Sequence, residues 1–185
     1  GHTITLTDTY LADKVEGTIE NLGVTSTSEI TLPDESGSMA NTVSGTIVNS
    51  YSTAKIKATT DWGEVGGLVG TMSGSTISNC YFAGSFGDYS MGGIAYTSSS
   101  AQSTISNCYF TVGFSPVSMG SATKVNCGIM TEAELKTSDA IEKLNEKTGV
   151  AVPKPLVGIK DREVLHKTHI DKTEIINFIK SEMEG

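Results

Sequence analysis

Few residues in this chain have the type and spacing that catalysis demands. His166 and His169 stand three residues apart, a separation compatible with metal ligation. No Cys lies near them, however, and Asp161, Glu163 and Asp171 are only sequence neighbours, so a solvated, charged segment is the better reading. The His-Glu-x-x-His pattern of zinc peptidases is absent. Carboxylates pair at Asp34-Glu35 and at Asp61 with Glu64. Glycoside cleavage needs two carboxylates converging on one cleft, often beside a basic residue or a metal. The stretch 76–114 offers only Asp88, so these acids read as solvated turn charges. No catalytic, cofactor-binding or metal-ligating residue is expected, and the chain is expected not to be an enzyme.

Composition narrows the partners. The net charge is −8 and the pI near 4.8, which disfavours phosphate-rich partners such as nucleic acid. The sequence holds no apolar run of the length that spans a bilayer, so no membrane insertion is expected. Gly1-His2 reads as the remnant of a cleaved tag, which places the native N-terminus, with any leader, upstream. Between residues 63 and 114 Glu64 and Asp88 are the only charges, whereas Lys and Glu alternate densely from Thr131 onward. This shift sets a boundary near residue 130.

The elements that would position any site come from an internal repeat. Thr46-Ile47-Val48-Asn49-Ser50-Tyr51, Thr76-Ile77-Ser78-Asn79-Cys80-Tyr81 and Thr104-Ile105-Ser106-Asn107-Cys108-Tyr109 align, after a weaker copy at Thr18-Ile19-Glu20-Asn21-Leu22. The Thr spacings are 28, 30 and 28 residues, and Lys124-Val125-Asn126-Cys127 is a truncated echo. Between copies lies a second motif, Gly66-Gly67-Leu68-Val69-Gly70 and then Gly92-Gly93-Ile94-Ala95, with Ser38-Met39-Ala40 as a degenerate version. Each period therefore carries short strands bounded by Gly, Ser or Asn. After each Asn, alternate positions are small or apolar: Ser50, Ser52, Ala54 and Ile56, then Cys80, Phe82, Gly84 and Phe86, then Cys108, Phe110, Val112 and Phe114. Period-two alternation turns this set inward and the interleaved residues outward. A single coil cannot bury that face, but stacked coils make one continuous core. The expected fold is mainly β, a parallel β-helix (β-solenoid) of about 28-residue coils with a C-terminal helical cap and extension.

Three columns follow from this stacking. Asn21, Asn49, Asn79, Asn107 and Asn126 form a structural ladder at a turn, because Asn tolerates left-handed backbone and its amide can bond to the amide above. Cys80, Cys108 and Cys127 take the inward position that Ser50 occupies. In-register stacking makes a disulfide between them awkward, so all three are expected to be reduced. Tyr51, Tyr81 and Tyr109 make an outward stripe. Such stripes can bind sugars, which makes these residues candidate ligand contacts, although stacking between coils accounts for them without a ligand. The polar loop 97–103 is a second candidate contact, with flexible loop as its default reading.

Gly-Gly-Leu-Val-Gly at 66–70 followed by Thr-Ile-Ser-Asn-Cys-Tyr-Phe-Ala-Gly at 76–84 resembles the GLUG repeat. The resemblance extends over residues 37–147. It implies a bacterial surface protein: such repeats occur in large adhesins and in non-catalytic regions of IgA-protease-like metallopeptidases. It also implies a secreted or cell-surface location and closure of the array by a Thr- and Glu-rich helical segment. Residues 128–136 are similar to that segment, whereas Val152-Pro153-Lys154-Pro155-Leu156 departs from the aromatic ending. Residues 1–130 are read as the GLUG-like solenoid, 131–149 as a helical cap, and 150–185 as a linker with a C-terminal amphipathic helix. Thr131 and Glu134 form a capping box, Ser138 can open a second helix, and Gly149 is a natural stop. Asp171-Lys172-Thr173-Glu174 is another capping box, ahead of Ile175, Ile176, Phe178, Ile179 and Met183. The expected function is a non-catalytic structural or ligand-binding module of an adhesin-like surface protein, its partner a glycan or a host or surface protein. The alternative is an accessory fragment of a surface polysaccharide-degrading enzyme or peptidase whose active site lies elsewhere.

Overall fold

The computed structural model describes residues 2–60, 64–87, 92–113 and 115–145. His166, His169, Asp61, Asp88, Phe114, Gly149 and the capping box at 171–174 lie outside these residues. The chain opens with a partial coil, β1 (His2–Leu6) and β2 (Ala12–Val15). The next coil carries β3 (Thr18–Glu20), β4 (Leu22–Ser26), β5 (Ile30–Leu32), β6 (Ser36–Gly37) and β7 (Ala40–Val43). It is followed by β8 (Thr46–Val48), β9 (Tyr51–Ser52), β10 (Lys55–Ala58), β11 (Val65–Gly66) and β12 (Val69–Met72). A third full coil has β13 (Thr76–Phe82), β14 (Ser85–Phe86) and β15 (Gly92–Ser98). The array ends in β16 (Thr104–Phe110), β17 (Ser115–Gly120), β18 (Thr123–Val125) and β19 (Gly128–Ile129).

These strands stack into three parallel sheets of nine, three and seven strands, the faces of a β-solenoid with coils of about 28 residues. The register follows the repeat. Ile77 pairs with Ile47 on one side and Ile105 on the other, Ile19 continues the column, and Ile47, Ile77 and Ile105 are fully buried. A second inward column runs from Ile4 through Val24, Ser52, Phe82 and Phe110 to Ile129. Its middle members are buried, while Ile129 in the last coil is 65% exposed. Stacking thus buries each rung with the next, and the column is open only where coils run out.

The Gly-Gly motif has a cross-lumen cause. A Cβ at Gly67 would strike the ring of Phe82, and one at Gly93 would strike the ring of Phe110. In the earlier coil the equivalent pair is small on both sides, and Ser38 Oγ donates to Ser52 Oγ at 2.8 Å. Bulk on one wall is matched by its absence on the other, as dense packing requires.

Two short helices close the described chain, α1 (Glu132–Leu135) and α2 (Ser138–Leu144). The capping box at Thr131 and Glu134 forms as expected: Glu134 N–H donates to Thr131 Oγ1 at 3.2 Å and Thr131 N–H donates to Glu134 Oε2 at 2.7 Å. Ser138 opens the second helix, with Thr137 as its N-cap. Leu135, Ala140 and Leu144 pack with Met130 against the outward tyrosines of the solenoid flank.

Candidate functional site

The asparagine ladder is the most regular polar feature. Asn21, Asn49, Asn79, Asn107 and Asn126 all take left-handed backbone, with φ between 49° and 56°, a region that Asn tolerates better than most residues. Each amide then lies over its neighbour. Asn79 Nδ2 donates to Asn49 Oδ1 at 3.2 Å, Asn107 Nδ2 to Asn79 Oδ1 at 3.1 Å, and Asn126 Nδ2 to Asn107 Oδ1 at 2.8 Å. The last acceptor, Asn126 Oδ1, receives the Tyr109 hydroxyl at 2.7 Å. Asn126 Nδ2 also reaches the Lys143 carbonyl at the end of α2, at 3.2 Å. Asn21 shares the turn conformation, but the side-chain chain of bonds ends at Asn49, whose buried Nδ2 finds no partner among the described residues. The ladder is therefore a structural spine, satisfied mainly by itself.

The tyrosines require a correction. Tyr51, Tyr81 and Tyr109 do point away from the inner core, as alternation demands, and they are in register. They are not an open stripe: only 2%, 7% and 5% of their surfaces are exposed. Tyr51 and Tyr81 stack with centroids 5.0 Å apart and planes 6° off parallel. The Tyr51 ring lies where a side chain at Gly23 would otherwise stand. An exposed row of phenols would be a large apolar patch, and the helices bury it. Their ring faces are thus occupied by neighbouring coils and by the helices, which leaves no room for a sugar in this arrangement.

The cysteines occupy their inward column, and all three are free thiols. Each Sγ–H donates to the carbonyl two residues earlier: Cys80 to Ser78 at 3.1 Å, Cys108 to Ser106 at 3.2 Å, Cys127 to Val125 at 3.1 Å. Ser50, in the same column, donates likewise to Val48 at 2.8 Å. Burial pushes the Cys108 thiol well up, reinforced by its sulfur neighbours. The thiol of half-buried Cys127 is held below its ordinary value, chiefly by its side-chain interaction with Cys108, against a burial effect that raises it; backbone hydrogen bonds and the Lys124 charge also lower it.

One polar site escaped the sequence reading. Tyr96 follows the second Gly-Gly motif, in the position that Gly70 holds one coil earlier, and it is only 3% exposed. Its hydroxyl is pushed up to about 12, first by burial, then by its hydrogen bond to Glu64, then by the negative charges of Glu64, Glu35 and Asp34. The nearby Glu35 has φ 58°, and its N–H donates to the Glu64 carbonyl at 2.6 Å. The only sequence signal was a bulky aromatic where the preceding repeat has Gly. Of these carboxylates Glu64 bonds the phenol, whereas Asp34 and Glu35 are exposed and act on it only through their charge. The 97–103 loop is partly tied down: Ser99 Oγ–H donates to Met72 O at 3.1 Å and Ser98 Oγ–H to Ser100 O at 3.0 Å.

In the same nine-stranded sheet, outward polar positions form a register column, Thr18, Thr46, Thr76, Thr104 and Thr123. Its end members are exposed and its middle members half-buried. Among the described residues, no group of three or more His, Cys, Asp or Glu side chains is arranged to hold a metal ion, and no helix is long and apolar enough to cross a membrane. No family model, curated protein or solved structure matches the chain.

Proposed function

We propose that this chain is a non-catalytic structural and ligand-presenting module of a bacterial cell-surface protein, of the adhesin-like kind that the GLUG resemblance implies. The observation that carries the reading is the unbroken outward threonine column, Thr18 to Thr123, held in register by the inward isoleucines. A regular polar face of this sort offers many weak, evenly spaced contacts to an extended glycan or to another surface protein. The acidic charge and the extracellular location implied by the resemblance suit such a partner better than a nucleic acid. The test is a glycan and surface-protein binding screen with the purified chain, run beside turnover assays on polysaccharides and peptides. Saturable binding that falls when Thr76→Lys interrupts the column is the expected result. Polysaccharide or peptide turnover abolished by Glu64→Gln would move the chain to the enzyme class.

A further inference from the structure

The last strands of the array form an edge. Among the described residues β17, β18 and β19 each pair with a neighbour on one side only, so a row of backbone N–H and C=O groups lies along that end. Apolar surface lies beside it. Among the described residues, two of the three exposed large hydrophobic side chains sit here, Ile129 at 65% and Met119 at 53%. Ile129 tops the column of Phe82 and Phe110. An edge of this kind is a template for pairing with other chains unless a charge, a loop or a helix guards it.

The isoleucine column shows what cover fits. It runs Ile19, Ile47, Ile77 and Ile105, and its last member is Lys124, which is exposed. Lys124 is also the one charge between residues 115 and 131. A second solenoid that continued the column would bury this ammonium without a partner, which is costly. A helix that brings carboxylates with its apolar face would not. The apolar residues of α1 and α2, Leu135, Ala140 and Leu144, are already spent on the tyrosine flank.

We propose that residues 171–183 of this chain lie across the C-terminal end of the solenoid as an amphipathic helix. Ile175, Ile176, Phe178, Ile179 and Met183 cover Ile129 and its neighbours, and an acidic side chain meets Lys124. At about 100° per residue these five apolar positions fall on one face. The segment 171–184 carries four carboxylates, Asp171, Glu174, Glu182 and Glu184, against two lysines, the sign that complements Lys124. The chain also leaves α2 at the right level, because Asn126 in the last rung of the ladder bonds the Lys143 carbonyl at 3.2 Å. Residues 146–170, at up to about 3.3 Å each, can reach any point of the end. A helix of this length measures about 20 Å, enough to lie across the strands there.

The experiment reads Cys127, the half-buried thiol of the last rung, in the full chain. Its alkylation by iodoacetamide is followed by peptide mass. Ile176→Asp and Ile179→Asp each put a charge in the middle of the apolar face and lie outside the repeats, and thermal melts confirm that the solenoid is intact. Cys127 should alkylate at least tenfold faster in either variant than in wild type, with Cys80 and Cys108 still slow, and the wild-type rate should not depend on protein concentration. Carbodiimide coupling should join Lys124 to Asp171, Glu174 or Glu182 within the monomer fraction. Unchanged Cys127 rates in both variants would overturn the proposal, as would the lack of any link from Lys124 to the acids of this segment. A wild-type rate that falls as concentration rises, or a link found only between two copies, would assign the cover to a second molecule and overturn it equally.

Discussion

Replacing Asn79 by Ala should test whether the ladder stabilises the array or merely decorates it. Asn79 is 2% exposed. It donates to Asn49 at 3.2 Å and accepts from Asn107 at 3.1 Å. Truncation deletes both bonds and takes a buried acceptor from Asn107 and a buried donor from Asn49. Orphaning buried partners costs about 1–3 kcal/mol. Alanine must also hold φ near 53°, which adds about 1 kcal/mol for an L-residue with no local side-chain bond. The sum is about 2–4 kcal/mol, read as a lower urea midpoint at unchanged m-value. Asn79→Gly separates the two contributions, because glycine adopts the turn without strain; it should recover about 1 kcal/mol of the loss. Asn49→Ala should cost less than Asn79→Ala, since the Asn49 amide already lacks an acceptor. Midpoints for Asn79→Ala and wild type that coincide would refute the ladder argument, and equal losses for Ala and Gly would refute the backbone part.

Other expectations follow from the packing and the ionisable groups. Gly93→Ala places a methyl inside the Phe110 ring and should cost about 1–3 kcal/mol of overpacking; a double-mutant cycle with Phe110→Leu should show that the smaller partner relieves at least about 0.5 kcal/mol of it. Tyr96 should ionise near pH 12, read as the step that Tyr96→Phe removes from an ultraviolet phenolate titration. Because its folded value lies above its unfolded one, its contribution to stability is complete below about pH 10 and is lost as pH rises toward 12. Glu64→Gln should lower that titration point. Thiol counting on denatured, unreduced protein should find three free groups, and in the native protein Cys127 should alkylate well before Cys80 and Cys108. Leu144→Ala should loosen the helices and raise tyrosine quenching by acrylamide without unfolding the solenoid; quenching that stays at the wild-type level would mean that the helices do not shield Tyr51, Tyr81 and Tyr109.

The coil period was readable in the chain because a solenoid writes its geometry directly into its sequence. Each rung meets its own equivalent residue, so Ile47, Ile77 and Ile105 stack in one column and Asn49, Asn79 and Asn107 share one turn. The inward cysteines, free and stacked, followed from the same alternation. A capping box is equally local, and Thr131 with Glu134 formed as spelled.

What the period could not reveal lies across the lumen or outside the wall. Gly67 and Gly93 read as turn signals, yet they clear space for Phe82 and Phe110 on the opposite wall, a contact that no column records. Nothing in the repeat singled out Tyr96, and only folding brings the Glu64 carboxylate to its hydroxyl. Alternation correctly turned Tyr51, Tyr81 and Tyr109 outward, but outward means only away from the inner core. Whether that face meets water depends on where a helix from the end of the array lies down. The sequence by itself determined the rungs, because their contacts repeat at one fixed spacing. The tertiary structure decided the burial of the tyrosines, because it depends on a single non-repeating contact with Leu135, Ala140 and Leu144.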